Sequence, residues 1–256
     1  MTASASQPGA LELDVEAGEL VGPPPQARAG VIVPYDMALD AELWRWTPAD
    51  VTLHFTRTPF APLPVTLEMA TLVSDADVVA RCTQDLVPIA PEVCVYACTS
   101  GSFVKGLAGQ AELVSAMEAV GAPRAVTTSG ALLEAIEHLG LHRVAIATPY
   151  DLEITIRLAE FLAEAGVEVV GRGCLALEAD IWDVPYAKTA RLVADADTAD
   201  ADAVIVSCTN LPTYDVIAPL ERALGKPVIT ANQATMWAAM RAIGRQPVGP
   251  GQALHR

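Results

Sequence analysis

The chain has 256 residues, 52% of them apolar and 18% charged. It is long enough to bury roughly 70–75% of its unfolded surface and too apolar to be disordered. Its 31 acidic against 16 basic residues leave a net charge of −15, which repels phosphates and excludes non-specific nucleic-acid binding or docking on an anionic membrane.

In chain order, residues 1–28 are poor in aromatics and run into Pro23-Pro24-Pro25. They read as a disordered or loosely packed arm. Order is expected to begin at Gly30-Val31-Ile32-Val33, a short buried strand closed by Pro34. Further strands are predicted at Val51–Thr56, Val93–Ala97, Ala125–Thr127, Val144–Ala147, Val167–Val170, Ala203–Ser207 and Val228–Thr230. Helical periods fall between them, as at Ser129–Leu139, Leu152–Ala165, Pro185–Ala196 and Gln233–Ile243. Apolar strands without polar alternation, separated by helices, indicate parallel sheets covered on both faces. The predicted class is α/β: two pseudo-symmetric, doubly wound lobes with parallel sheets of four-stranded type and the active site between them. The N-terminal lobe covers 29–141, with the C-terminal helix returning to it. The C-terminal lobe covers 142–232, and a helix and tail cover 233–256.

Five cysteines, an odd number, do not suggest a disulfide framework and point to a reducing cytoplasm. No apolar run reaches the 18 residues of a membrane span, and no basic-then-apolar leader opens the sequence. Only Lys105, Lys188 and Lys226 are available for Schiff-base chemistry, which weighs against it.

One internal echo carries chemistry. Val93-Cys94-Val95-Tyr96-Ala97-Cys98-Thr99-Ser100 matches Ala203-Val204-Ile205-Val206-Ser207-Cys208-Thr209-Asn210. Each is a buried strand ending in Cys-Thr-polar, at the strand end where open α/β sheets bind ligands. A cysteine entering a helix N-terminus there has its thiolate stabilised. Two such thiols facing each other across a cleft form an acid/base pair that needs no cofactor.

These segments, with Thr148-Pro149-Tyr150 and Ala231-Asn232-Gln233-Ala234-Thr235, resemble the maleate cis-trans isomerase and arylmalonate decarboxylase branch of the aspartate/glutamate/hydantoin racemase superfamily. The resemblance covers roughly residues 30–245. It implies two α/β lobes and no cofactor or metal. Cys98 matches the isomerases' nucleophile and Cys208 their proton donor, whereas the decarboxylases carry glycine at the first position. Thr99, Ser100 and Tyr150 match donors to a substrate carboxylate, and the N–H groups near Thr209 and Asn210 match the site of a second one. Two departures stand out. The family's Pro-Ser-Ser-Asn is here Pro34-Tyr35-Asp36-Met37, and a second family Asn falls nearest Asp180. Both weigh against maleate and toward an aryl, amide or amino-bearing acid.

The expected activity is that of an isomerase or racemase working through an enediolate beside a carboxylate of a small organic acid. A malonate decarboxylase using Cys208 as proton donor and a non-catalytic acid-binding protein are the alternatives. By analogy alone a homodimer or higher homo-oligomer is expected. His138 and His142 lack a third metal ligand, and His54 reads as a sheet histidine. Cys82, Cys94 and Cys174 read as core, and Trp44 and Trp46 as packing at the lobe interface.

Overall fold

The computed structural model describes residues 24–255. The first sheet holds β1 (Ala27–Val33), β2 (Val51–Arg57), β3 (Val93–Tyr96) and β4 (Ala125–Thr127). The second holds β5 (Arg143–Thr148), β6 (Glu168–Cys174), β7 (Ala203–Val206) and β8 (Val228–Thr230). All pairings are parallel, in the orders β2-β1-β3-β4 and β6-β5-β7-β8. The two sheets therefore repeat one topology, and the order reverses beside β1 and β3 in one and β5 and β7 in the other. That reversal opens a crevice at the strand C-termini.

In the first lobe the helices are α1 (Asp40–Trp44), α2 (Leu67–Val73), α3 (Ala76–Leu86), α4 (Thr99–Phe103), α5 (Gly106–Ala119) and α6 (Thr128–His138). α7 (Leu152–Glu164), α8 (Tyr186–Ala196), α9 (Tyr214–Leu224) and α10 (Ala231–Ala242) follow. The central strands β3 and β7 are buried at every residue, which is why they read as continuous apolar runs.

Most expected strands and helices appear with small shifts. β1 begins at Ala27 rather than Gly30 because Ala27 already pairs with Val51. Residues 1–23 of the expected arm lie outside the described residues, and 24–26 are exposed and carry no regular structure. α6 and α10 start earlier than expected because threonines cap them. Thr127 accepts from the Gly130 N–H, and Thr230 with Gln233 forms a full capping box, which satisfies otherwise orphaned N–H groups. β6 runs on to Cys174 as a half-exposed edge strand. Its Gly171 is required there, since a Cβ would sit 2.4 Å from the Ala196 carbonyl oxygen.

α10 is buried from Ala231 to Met240, as expected of a helix enclosed on all sides. It packs on α6, where Thr235 Oγ1 donates to Thr128 Oγ1 at 2.9 Å and His138 contacts the Trp237 ring. One hydrophobic cluster runs through both lobes, and a second, containing Tyr96 and Cys98, is confined to the first lobe. Trp46 is part of the larger cluster and donates its Nε1–H to Gln252 at 2.9 Å. Trp44 is 42% exposed, so only one of the two tryptophans packs as expected. Cys174 is exposed on the edge strand, a correction to its reading as a core residue. Among the described residues no helix is long and apolar enough to cross a membrane.

Candidate active site

β1 and β3 of the first sheet and β5 and β7 of the second deliver their C-terminal residues into one cavity. From the first lobe come Pro34 and Asp36 after β1, and Cys98, Thr99 and Ser100 after β3. From the second come Tyr150 after β5, and Cys208, Thr209 and Asn210 after β7. Val65, Met69 and Ile181 roof it. The roof is sewn shut between lobes, since the Val65 N–H donates to the Glu178 carbonyl at 2.8 Å. The free volume is about 20 Å³, room for roughly one water.

Both thiols are buried. Cys98 caps the five-residue helix α4. The Tyr96 hydroxyl, the Ser100 hydroxyl and the Gly101 N–H lie against it. Gly101 is dictated by this crowding. A Cβ there would meet Tyr96 Oη at 2.5 Å and Cys98 Sγ at 3.0 Å. Cys208 holds a backbone φ of +99°, a conformation that costs a side-chain-bearing residue of order 1–3 kcal/mol and persists where surrounding structure enforces it. Its thiol accepts the Asn210 N–H at 3.4 Å and faces the Tyr150 hydroxyl.

Burial pushes the Cys98 thiol up to about 11 and the Cys208 thiol up to about 12, and the nearby Asp36 carboxylate adds to both. The expectation of thiolates stabilised by helix N-termini is thus corrected. Only Cys98 meets a helix, and a short one. Cys208 leads into a turn that reaches α9 only at Tyr214. Burial outweighs the few N–H groups at each sulfur, and both thiols rest protonated in the closed site.

Asp36 is itself raised by burial, with Arg57 acting in the opposite direction. It is the one charged side chain in the lining. Thr99 Oγ1 is buried without a hydrogen-bond partner, a free hydroxyl at the cavity wall. The Asn210 side chain spans the lobes. Its Oδ1 accepts the Ala38 N–H at 2.9 Å and its Nδ2 donates to the Asp36 carbonyl at 3.0 Å.

Beneath the lining lies a second cross-lobe network. Glu42 of α1 is 7% exposed. It accepts from Thr213 N–H at 3.1 Å, Thr213 Oγ1 at 2.7 Å and Asn232 Nδ2 at 3.3 Å. Asn232 Nδ2 also donates to the Thr209 carbonyl at 2.9 Å. Burial raises Glu42 despite these bonds. Among the described residues no group of three or more His, Cys, Asp or Glu is arranged to hold a metal ion.

Two matching strand ends thus each deliver a cysteine to one interlobe cavity. Residues 64–254 match the family model described as arylmalonate decarboxylase. The chain belongs to the arylmalonate decarboxylase family. The arylmalonate decarboxylase of Bordetella bronchiseptica is 40% identical over 153 residues, 57% of this chain and 62% of that protein, so the match spans less than two thirds of that relative. The maleate isomerase of Pseudomonas putida is 28% identical over 192 residues, 72% of this chain and 76% of that protein. A crystal structure of a liganded arylmalonate decarboxylase double mutant superposes with a TM-score of 0.82 at 31% identity, covering 90% of this chain and 99% of that one. The relatives of this arylmalonate decarboxylase family member are thus both decarboxylases and isomerases.

Of the residues singled out in the sequence, the structure brings nine to the cavity of this family member: Pro34, Asp36, Cys98, Thr99, Ser100, Tyr150, Cys208, Thr209 and Asn210. Two stay outside its lining. Tyr35 turns away, donating its hydroxyl to the Leu63 carbonyl at 3.2 Å and meeting the Phe60 ring edge-on. Asp180 is exposed at a left-handed backbone turn with φ of 52°, and the next residue, Ile181, lines the cavity. The roof residues Val65 and Met69 and the Glu42 network were not anticipated. A buried acid between Ala41 and Leu43 on a short helix was the one available sequence signal for the latter.

Proposed function

We propose that the chain is a cofactor-independent enzyme that works beside a carboxylate of a small organic acid, as an isomerase or racemase, with Cys98 and Cys208 as its working pair. The observation that carries this reading is the presence of both thiols, one from each lobe, buried in the lining of the same cavity. In the racemase form one thiol enters as thiolate after losing its proton to solvent. It removes the α-proton, the C–H electron pair moves into the carboxylate as an enediolate, and the other thiol protonates the opposite face. In the isomerase form the Cys98 thiolate adds to an alkene carbon, the enediolate forms, rotation follows, and the sulfur leaves. Thr99, Ser100 and Tyr150 supply hydroxyls toward the developing charge.

A decarboxylase reading has its own support in the family model and in the 40% identical relative. There the enediolate arises by loss of CO2 from a substituted malonate and Cys208 protonates it. Cys98 separates the two. Its replacement by alanine abolishes racemisation or isomerisation, whereas a decarboxylase with Cys208 as sole proton donor tolerates it.

A further inference from the structure

We infer that Tyr96 is a positioning residue that ties the ionisation of Cys98 to the roof helix α2. Its hydroxyl donates to the Val73 carbonyl while Cys98 is a thiol and turns to the sulfur when Cys98 is a thiolate. This inference rests on the two-thiol reading above and adds a control of that same site.

The helix α2 carries Met69 into the cavity lining. Its last carbonyls have no donor within the helix, and two side chains of the first lobe answer them. Tyr96 Oη donates to the Val73 carbonyl at 2.5 Å, and Lys105 Nζ donates to the Ser74 carbonyl at 3.0 Å. Tyr96 is fully buried, and the same hydroxyl lies against the Cys98 sulfur. A tyrosine hydroxyl has one proton. Given to the Val73 carbonyl, it leaves lone pairs toward Cys98, which suit a thiol donor and give a thiolate nothing. Given to the sulfur, it favours the thiolate and abandons Val73. A charged acceptor makes the stronger bond, so the proton follows the charge once it forms. The two states are linked in both directions: ionising Cys98 strips α2 of an anchor, and slackening α2 frees a donor for the thiolate. Other groups face this sulfur without that link. Asp36, Tyr150 and Cys208 approach from the segments after β1, β5 and β7, and the Ser100 hydroxyl and Gly101 N–H from α4. Cys82 of α3 faces Tyr96. Of all these groups, Tyr96 is the one hydrogen-bonded to α2 among the described residues.

The test is a pH titration of Cys98 in the full chain, followed by carbon NMR of the β-carbons in protein labelled at cysteine and assigned with Cys98→Ala. The β-carbon shift reads ionisation rather than solvent access. Tyr96→Phe is expected to lower the Cys98 thiolate fraction at about pH 10 at least threefold. Lys105→Met takes the second anchor from α2, and Lys105 is not among the groups at the sulfur. It is expected to raise the thiolate fraction at least twofold, whereas loss of a cation by itself would lower it. In the double variant that gain is expected to vanish. Amide hydrogen exchange across 67–74 is expected to quicken in both single variants. A merely structural Tyr96 slackens the roof in both and raises the thiolate in both. A thiolate fraction in Tyr96→Phe equal to or above that of the unaltered chain overturns the inference, and so does amide exchange unchanged in both variants. Lys105→Met without a gain, or with a gain that survives in the double variant, overturns it too, and the single-variant result stands even where Tyr96→Phe fails to fold. No substrate enters the titration, so its failure leaves the two-thiol reading untouched. Failure of that reading shows separately, as full activity in Cys98→Ala.

Discussion

Asn210 binds the Asp36 segment in both directions across the lobe boundary. Its side-chain oxygen accepts from Ala38 N–H at 2.9 Å and its amide donates to the Asp36 carbonyl at 3.0 Å. One residue of the cysteine-bearing loop in the second lobe thereby fixes where the single charged group of the cavity stands. Asn210→Ala removes both bonds and leaves a partly buried N–H unsatisfied. It is expected to destabilise the chain by about 1–3 kcal/mol, read as a lower urea midpoint at unchanged m-value.

Glu42 acts one layer deeper, through Asn232 and Thr213. Gln in its place turns one acceptor into a donor facing N–H and O–H groups. Glu42→Gln is expected to lose about 1–3 kcal/mol of stability. The Thr209 carbonyl is held through Asn232, so a double-mutant cycle of Glu42→Gln with Asn232→Ala is expected to show coupling of about 1 kcal/mol or more. Additive losses would mean that the network does not act as a unit.

The thiols set a pH dependence. Cys98 and Cys208 titrate at about 11 and about 12 in the fold, above the ordinary 9.0. A group raised on folding lends stability below its unfolded value and loses it as pH rises through the folded one. Stability is therefore expected to hold to about pH 9 and to fall between there and pH 12. Alkylation followed by peptide mapping should label exposed Cys174 at neutral pH, with Cys98 and Cys208 reacting only at alkaline pH. Asp36→Asn removes a charge that raises both thiols, so it should move their reactivity to lower pH.

The backbone at Cys208 carries the strain of a φ of +99°. Glycine relieves it and alanine does not. Cys208→Gly is expected to be about 1 kcal/mol more stable than Cys208→Ala, with both inactive. Equal stabilities would show that the conformation is not strained.

The part of this site legible in the sequence was the part built from local pattern. Unbroken apolar runs such as Val93–Tyr96 and Ala203–Val206 mark central parallel strands, and the repeated Cys-Thr-polar ends fix where each strand delivers its chemistry. What escaped depends on distance in the chain. The Glu42–Thr213 and Asn210–Ala38 bonds join residues 171 and 172 apart, and no local pattern announces such a meeting. Asp180 stands exposed at a left-handed turn and outside the cavity lining, while its neighbour Ile181 lines it. The thiols' ionisation was misjudged because it is decided by burial, which follows from closure of both lobes and the roof rather than from the residues adjoining each cysteine.

The central claim is that two thiols, one from each lobe, do the chemistry. The most direct measurement is the rate of α-proton exchange, isomerisation and CO2 release on a panel of small acids in D2O, for the unaltered chain, Cys98→Ala and Cys208→Ala. The account predicts turnover of at least one acid that falls by about 10²–10⁴-fold in each single variant. Full activity in either variant would contradict it.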